Sequence, residues 1–215
     1  LSITLASGRP TLADRLFTRH LVTDAVLVAS GTGLTAVAAQ LTVPMWPVPI
    51  SGQTFAVLLV GTVLGASRGA LSMVLYLVLG MIGLPIFADG TSGSLFSLTS
   101  GGFIVGFIAA AAFVGWLAER QWDHAVLRTA LAFVGGTVIM YAFGLPWLYS
   151  MLGALPAESL SQFFGTTDVL QATLTGGLYP FLIGDVLKAV VAALLLPITW
   201  KLVRRADDAA EAGEA

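Results

Sequence analysis

YPFLIGDVLKAVVAALLLPITW, residues 179–200, is an apolar run with an acid and a base, Asp185 and Lys188, inside its first half. About 20 apolar residues cross the hydrocarbon core of a bilayer as a helix. An ionised side chain at that depth costs roughly 2.5–3.5 kcal/mol on insertion scales. A spacing of three residues puts Asp185 and Lys188 on one helical face. Pro180, near the predicted helix start, places both within the first turns of that helix. A buried ion pair is poor evidence of stability, because apolar replacements often do as well. The pair therefore reads as a ligand site rather than as a bridge that only neutralises itself. It offers a carboxylate acceptor and an ammonium donor, which suits a ligand bearing N–H groups and carbonyl or carboxylate oxygens.

Outward from this run, the whole chain has the same character. It is 57% hydrophobic and 10% charged, with a mean hydropathy of +0.90. Ordinary soluble domains carry about 25% charge. The expected fold class is an all-α integral membrane protein with six transmembrane helices and structured outer loops. The spans fall near 22–41, 53–67, 69–83, 101–118, 128–151 and 178–201. The second and third are short and separated by Ala66-Ser67-Arg68, which predicts a tight helical hairpin. The expected organisation is a lead-in over 1–21, a transmembrane domain over 22–203 and a tail over 204–215. The first twenty residues lack a short apolar core with a small-residue cleavage site, so they read as a cytoplasmic lead-in rather than a signal peptide.

Basic residues set the orientation. Lys188 alone among ten Lys and Arg residues lies inside an apolar run. Arg9, Arg15, Arg19, Arg68, Arg120, Arg128, Lys201, Arg204 and Arg205 all lie in or beside breaks that a six-span topology puts on one face. The other three loops, 42–52, 84–100 and 152–177, hold no Lys or Arg. The positive-inside rule then predicts that both termini are cytoplasmic. Those three outer loops are rich in Pro, Gly, Ser, Thr and aromatic residues. They predict a lid folded back onto the helices, against the plainer alternative of interfacial loops.

Other residues leave two readings open. Gln53 either orients a polar ligand or bridges helices. Tyr76 is either a ligand hydroxyl or a core aromatic. Asp89, within Ala88-Asp89-Gly90, reads first as a turn former. Ala25, Ala29 and Gly33 form a small-residue stripe that suits either a partner subunit or internal packing.

Several chemistries are excluded. Cysteine is absent, so there is no thiolate nucleophile or Cys-based metal site. The two lysines stand in Leu-Lys-Ala and Trp-Lys-Leu, so no G-x-x-x-x-G-K-[ST] phosphate loop exists. His20 and His124 fall at predicted cytoplasmic ends, which leaves no intramembrane Ser/His or metal-His set. No metal site, no basic patch for nucleic acid and no enzyme active site is expected. A passive channel remains as an alternative class, although a pore would repeat polar residues along several spans.

Four segments in order carry a resemblance: VPMWPVPISGQT (43–54), YLVLGMIGLPIFADGTSG (76–93), TSGGFIVGF (99–107) and YPFLIGDVLK (179–188). Together they resemble the BioY family, the biotin-binding membrane subunits (S-components) of energy-coupling factor (ECF) transporters, over about residues 15–203. The resemblance implies a subunit of the cell inner (cytoplasmic) membrane. It would capture biotin from outside in an occluded pocket under the first and third outer loops. It implies partners: a coupling transmembrane subunit and two ATPases, which alone use ATP. Biotin is the transported ligand and no cofactor is implied. On the family's pattern Asp185 accepts a ureido N–H and Lys188 donates to a biotin oxygen. Gln53, Tyr76 and the segment Phe87–Gly93, with Phe87, Asp89 and Gly93, complete the pocket. The stripe Ala25/Ala29/Gly33 becomes the docking face. Ile183 stands where the family's pattern leads one to expect a proline.

Overall fold

Each of the six apolar runs forms a helix. The chain is described by a computed structural model over residues 10–214; residues 1–9, Arg9 among them, and Ala215 lie outside it. A short α1 (Leu12–Leu16) leads into α2 (Leu21–Gln40). A two-stranded hairpin, β1 (Thr42–Val43) and β2 (Ile50–Ser51), follows, with Thr42 opposite Ser51 and Val43 opposite Ile50. Then come α3 (Gln53–Leu64), α4 (Ala66–Met81), α5 (Gly101–Ala118) and α6 (Val126–Gly153). The third outer loop carries α7 (Ala157–Phe164) and α8 (Val169–Gly177) before α9 (Tyr179–Glu214). The expected tail after 203 continues α9 without a break as far as Glu214.

Helices α2, α5, α6 and the α8–α9 stretch are long and apolar enough to cross a membrane. The others, α3 and α4, hold 12 and 16 residues, or about 18 and 24 Å at the α-helical rise. Their link is tighter than the sequence reading. It is Gly65 alone, at φ +88°, a region open to glycine and costly for other residues. Arg68 is therefore not a link residue but sits in the first turn of α4.

Small residues let the central helices approach. A Cβ at Gly61 would come within 2.5 Å of the Ala111 carbonyl oxygen on α5, and one at Gly69 within 2.8 Å of the Gly61 Cα. In lipid, such close van der Waals packing takes over much of what burial from water does in soluble proteins. Phe103, Phe107, Ala110, Ala111 and Val114 of α5 are all buried. The outer helices turn large apolar side chains outward instead, among them Val26, Leu34 and Val37 of α2 and Ile183, Val186 and Leu187 of α9. An exposed apolar surface of this extent fits a hydrocarbon solvent.

The basic end of the bundle is tied together. Arg68 is 1% exposed. Its Nε donates to Asp24 Oδ1 at 2.7 Å and its Nη1 to Asp14 Oδ1 at 2.8 Å. Asp14 Oδ2 also accepts from Arg19 Nη2 at 2.9 Å and from the Thr11 backbone N–H at 3.0 Å. Burial alone raises the Asp14 pKa, but these donors outweigh it and hold the carboxyl below its usual range. Glu119 accepts the Ala66 N–H at 2.9 Å, satisfying an orphan donor at the start of α4. Between α5 and α6, buried Asp123 accepts from the Trp200 indole of α9. Burial pushes Asp123 up to about 6, partly countered by that hydrogen bond.

Candidate functional site

Pro180 stands in the first turn of α9, where its missing N–H costs nothing and its fixed φ suits the helix. The helix runs unbroken through Ile183, whose side chain points outward, and brings Asp185 and Lys188 to one face. Their side chains meet at 3.3 Å, Lys188 Nζ to Asp185 Oδ1. Lys188 Nζ also donates to Thr54 Oγ1 at 2.7 Å and to the Ser51 carbonyl oxygen at 3.4 Å. The pair thus bridges α9 to the start of α3.

The first outer loop delivers that start. Its hairpin ends at Ser51, and the chain enters α3 at Gln53. Ser51 Oγ donates to Gln53 Oε1 at 2.9 Å, and Gln53 Nε2 donates to Tyr76 Oη at 2.6 Å. Tyr76 in turn donates to the Ile86 carbonyl oxygen at 2.9 Å. The Gln53 amide is thereby fixed in orientation, with one N–H and one lone pair left over.

A cavity of about 530 Å³, its open mouth included, lies between these groups. Phe103, Ile104 and Phe107 of α5, with Met140 and Phe181, form its apolar walls. Gln53, Thr54, Thr137, Tyr141 and Asp185 supply polar atoms, and Val48, Pro49, Ala88 and Ser100 close it from the loops. Such a mixture of apolar wall and few convergent polar groups is typical of small-molecule sites.

The structure places the first and second outer loops at this cavity, and the third loop behind the first, rather than the first and third over it. Trp46 packs against Phe163 and Phe164 of α7, with ring centroids 4.4 and 5.3 Å away. Thr99 donates to the Pro47 carbonyl oxygen, joining the second loop to the first. The loops form a mutually braced cover.

The expected site residues divide into two groups. Asp185 and Gln53 line the cavity, and Lys188 joins them through Asp185 and Thr54. Tyr76 is fully buried behind Gln53, off the wall. Phe87 is also buried, packed at 5.4 Å on the Tyr76 ring and filling the space over Gly80. Asp89 is exposed, at φ +56°, and accepts from Thr42 Oγ1, which fits a turn that pins the hairpin. Gly93, at φ +103°, donates its N–H to the Gly80 carbonyl oxygen at 2.8 Å. These last three shape the second loop rather than the cavity wall. Ala25, Ala29 and Gly33 all face outward on α2.

Several wall residues were not singled out from the sequence: Thr54, Thr137, Tyr141 and the aromatic side chains of α5. Tyr141 donates to Asp185 Oδ2. The available signal was a lone hydroxyl within Val138-Ile-Met-Tyr-Ala142, of the same kind that marked Tyr76.

Comparisons with known proteins agree with one another. Residues 10–205 match the model of a family described as the BioY family. A protein of Rhizobium etli named biotin transporter BioY is 36% identical over 186 residues, 83% of this chain and 91% of that one. A biotin transporter BioY of Thermotoga maritima is 35% identical over 166 residues, 76% of this chain and 88% of that one. Among solved structures, the S-component for biotin from an ECF-type ABC transporter superposes with a TM-score of 0.57 at 24% identity. It covers 84% of this chain and 92% of that one, and it shares the fold.

Proposed function

The chain belongs to the BioY family, and from that membership we propose that it is a membrane-embedded biotin-binding subunit serving uptake, not an enzyme. The observation that carries this reading is the cavity, where a half-buried acid and base, an oriented amide and an aromatic wall converge. Biotin combines a polar cyclic urea, an apolar ring system and a carboxylate tail. Asp185 accepts a ureido N–H, Lys188 donates to a biotin oxygen, and Gln53 completes the polar set. Tyr76, Phe87, Asp89 and Gly93 contribute by holding Gln53 and the second loop in place. The braced loops act as the cover that occludes the ligand.

In the bilayer the six apolar helices form six spans, with α3 and α4 as a short pair. The basic end faces the cytoplasm and the loop-covered cavity faces outward, so the protein sits in the cytoplasmic membrane with both termini inside. Capture is then separate from energy input. A coupling transmembrane subunit and two ATPases of the ECF type drive release, and the outward stripe Ala25/Ala29/Gly33 is where the coupling subunit docks. Supporting this division are the lack of any phosphate loop in this chain and the exposure of the stripe.

Equilibrium binding to detergent-purified protein tests the reading. Retention of biotin at nanomolar concentrations is expected. Undetectable binding together with rapid biotin flux into vesicles would overturn it in favour of a passive channel.

A further inference from the structure

We infer that Tyr141 is a positioning residue of the site, holding the Asp185 carboxylate open toward the ligand. The inference rests on the reading that Asp185 contacts biotin. Tyr141 lies on α6 and lines the same cavity as Asp185. Its hydroxyl donates to Asp185 Oδ2, while Lys188 approaches the other oxygen, Oδ1, at 3.3 Å. The two oxygens are therefore held by different helices, one by a neutral phenol and one by a cation on α9 itself.

This division matters because the competing state is a closed ion pair. Asp185 and Lys188 are three residues apart on one helix and need no help to meet. Lys188 is drawn away by Thr54 Oγ1 at 2.7 Å, and Asp185 is drawn away by Tyr141. Each charge thus has a second partner besides the other, which stays at 3.3 Å. An ionised carboxylate offers about four acceptor positions, and Tyr141 and Lys188 take two. The remaining two stay available to N–H groups of a ligand.

The Tyr141 ring is itself fixed. Phe103 meets it edge-on, with centroids 6.2 Å apart and planes at 84°. Tyr141 and Asp185 also border a groove on the other side, with Val134, Val138, Leu182 and Val186. Their hydrogen bond thus spans the α6–α9 seam between the cavity and that groove. A phenylalanine at 141 would fill the same space and keep the same ring contacts. What it would lose is the hold on Asp185 Oδ2.

A double-mutant cycle on the full-length purified protein tests this, with biotin affinity measured for the parent, Tyr141→Phe, Asp185→Asn and the combined variant. A hydrogen bond to a charged group is worth enough to predict a loss of about tenfold or more for Tyr141→Phe. In the Asp185→Asn background the same change is expected to cost less than about threefold, because coupled residues are not additive. A second measurement keeps the test open if Asp185→Asn binds too weakly to titrate. It compares biotin with biotin methoxycarbonylated on a ureido nitrogen, which lacks one N–H. Tyr141→Phe should cut affinity for biotin several-fold more than for the analogue. Unchanged biotin affinity in Tyr141→Phe, equal losses in both backgrounds, or equal losses for both ligands would overturn the positioning role alone. Parental affinity in Asp185→Asn would overturn it together with the site assignment beneath it.

Discussion

Lys188 Nζ stands closer to Thr54 Oγ1, at 2.7 Å, than to Asp185 Oδ1, at 3.3 Å, although Asp185 is its neighbour on the same helix. The ammonium is shared between α9 and the start of α3 rather than locked in a local ion pair. That arrangement ties the first outer loop to the half-buried charges. It also leaves each charge able to take a ligand atom, which a self-contained salt bridge would not.

The opposite end of the bundle behaves differently, because its charges serve structure. Arg68 is buried between Asp14 and Asp24. Replacing it with methionine would take this cation from both carboxylates and leave Asp14 with Arg19. Breaking a buried pair in this way costs about 3–5 kcal/mol. Thermal unfolding in detergent should therefore show Arg68→Met strongly destabilised, with partial recovery when Asp24→Asn is added. Biotin affinity measured well below the transition is expected to stay close to parental.

Asp123 gives a pH dependence of known sign. Its carboxyl is pushed by burial from 3.8 to about 6. Between about pH 4 and 6 the native state binds a proton that the unfolded chain has released. The contribution is fully present below about pH 4 and is lost as pH rises through 6, an effect of at most about 3 kcal/mol. Asp123→Asn keeps an acceptor for Trp200 and stays neutral. Melting curves from pH 4 to 8 should show the variant gaining on the parent as pH rises, and more stable than it at pH 7.5.

Gly80 supports the second outer loop. A Cβ there would lie 2.1 Å from the Phe87 ring, so Gly80→Ala must displace Phe87 from its seat on Tyr76. Overpacking of this kind typically costs about 1–3 kcal/mol. Stopped-flow or filter chase experiments should find biotin leaving the variant several-fold faster. An unchanged release rate would mean that this loop does not cover the ligand.

Ala29 faces outward on α2, away from the cavity. Ala29→Trp should leave biotin binding to the isolated protein intact and abolish energised uptake when the partner subunits are present. Uptake at the parental rate would remove α2 as the docking face.

The parts of this molecule that were legible in the sequence are the local ones. Apolar runs became helices because chain length against bilayer thickness is a local constraint. Asp185 and Lys188 stood out because their three-residue spacing declares a shared face. Long-range partners left no such mark. Arg68 read as one of the basic residues in the breaks that set the orientation, and only the fold brings Asp14 and Asp24, 54 and 44 positions away, onto it. Tyr141 lies 44 positions from Asp185, and a tyrosine in an apolar run usually needs no ligand to explain it. The second loop was legible only as a segment. Phe87, Asp89 and Gly93 belong to a segment at the cavity, yet Ala88 is the residue among them that reaches the wall.

The most direct test is titration of the purified chain with biotin, alongside Asp185→Asn and Lys188→Met. Truncating one member of a hydrogen-bonded charged contact that the bound ligand covers costs enough to predict a loss of about 100-fold or more in each variant. Both variants should remain folded by size-exclusion chromatography. Parental biotin affinity in both would contradict the assignment of this pair to the ligand site.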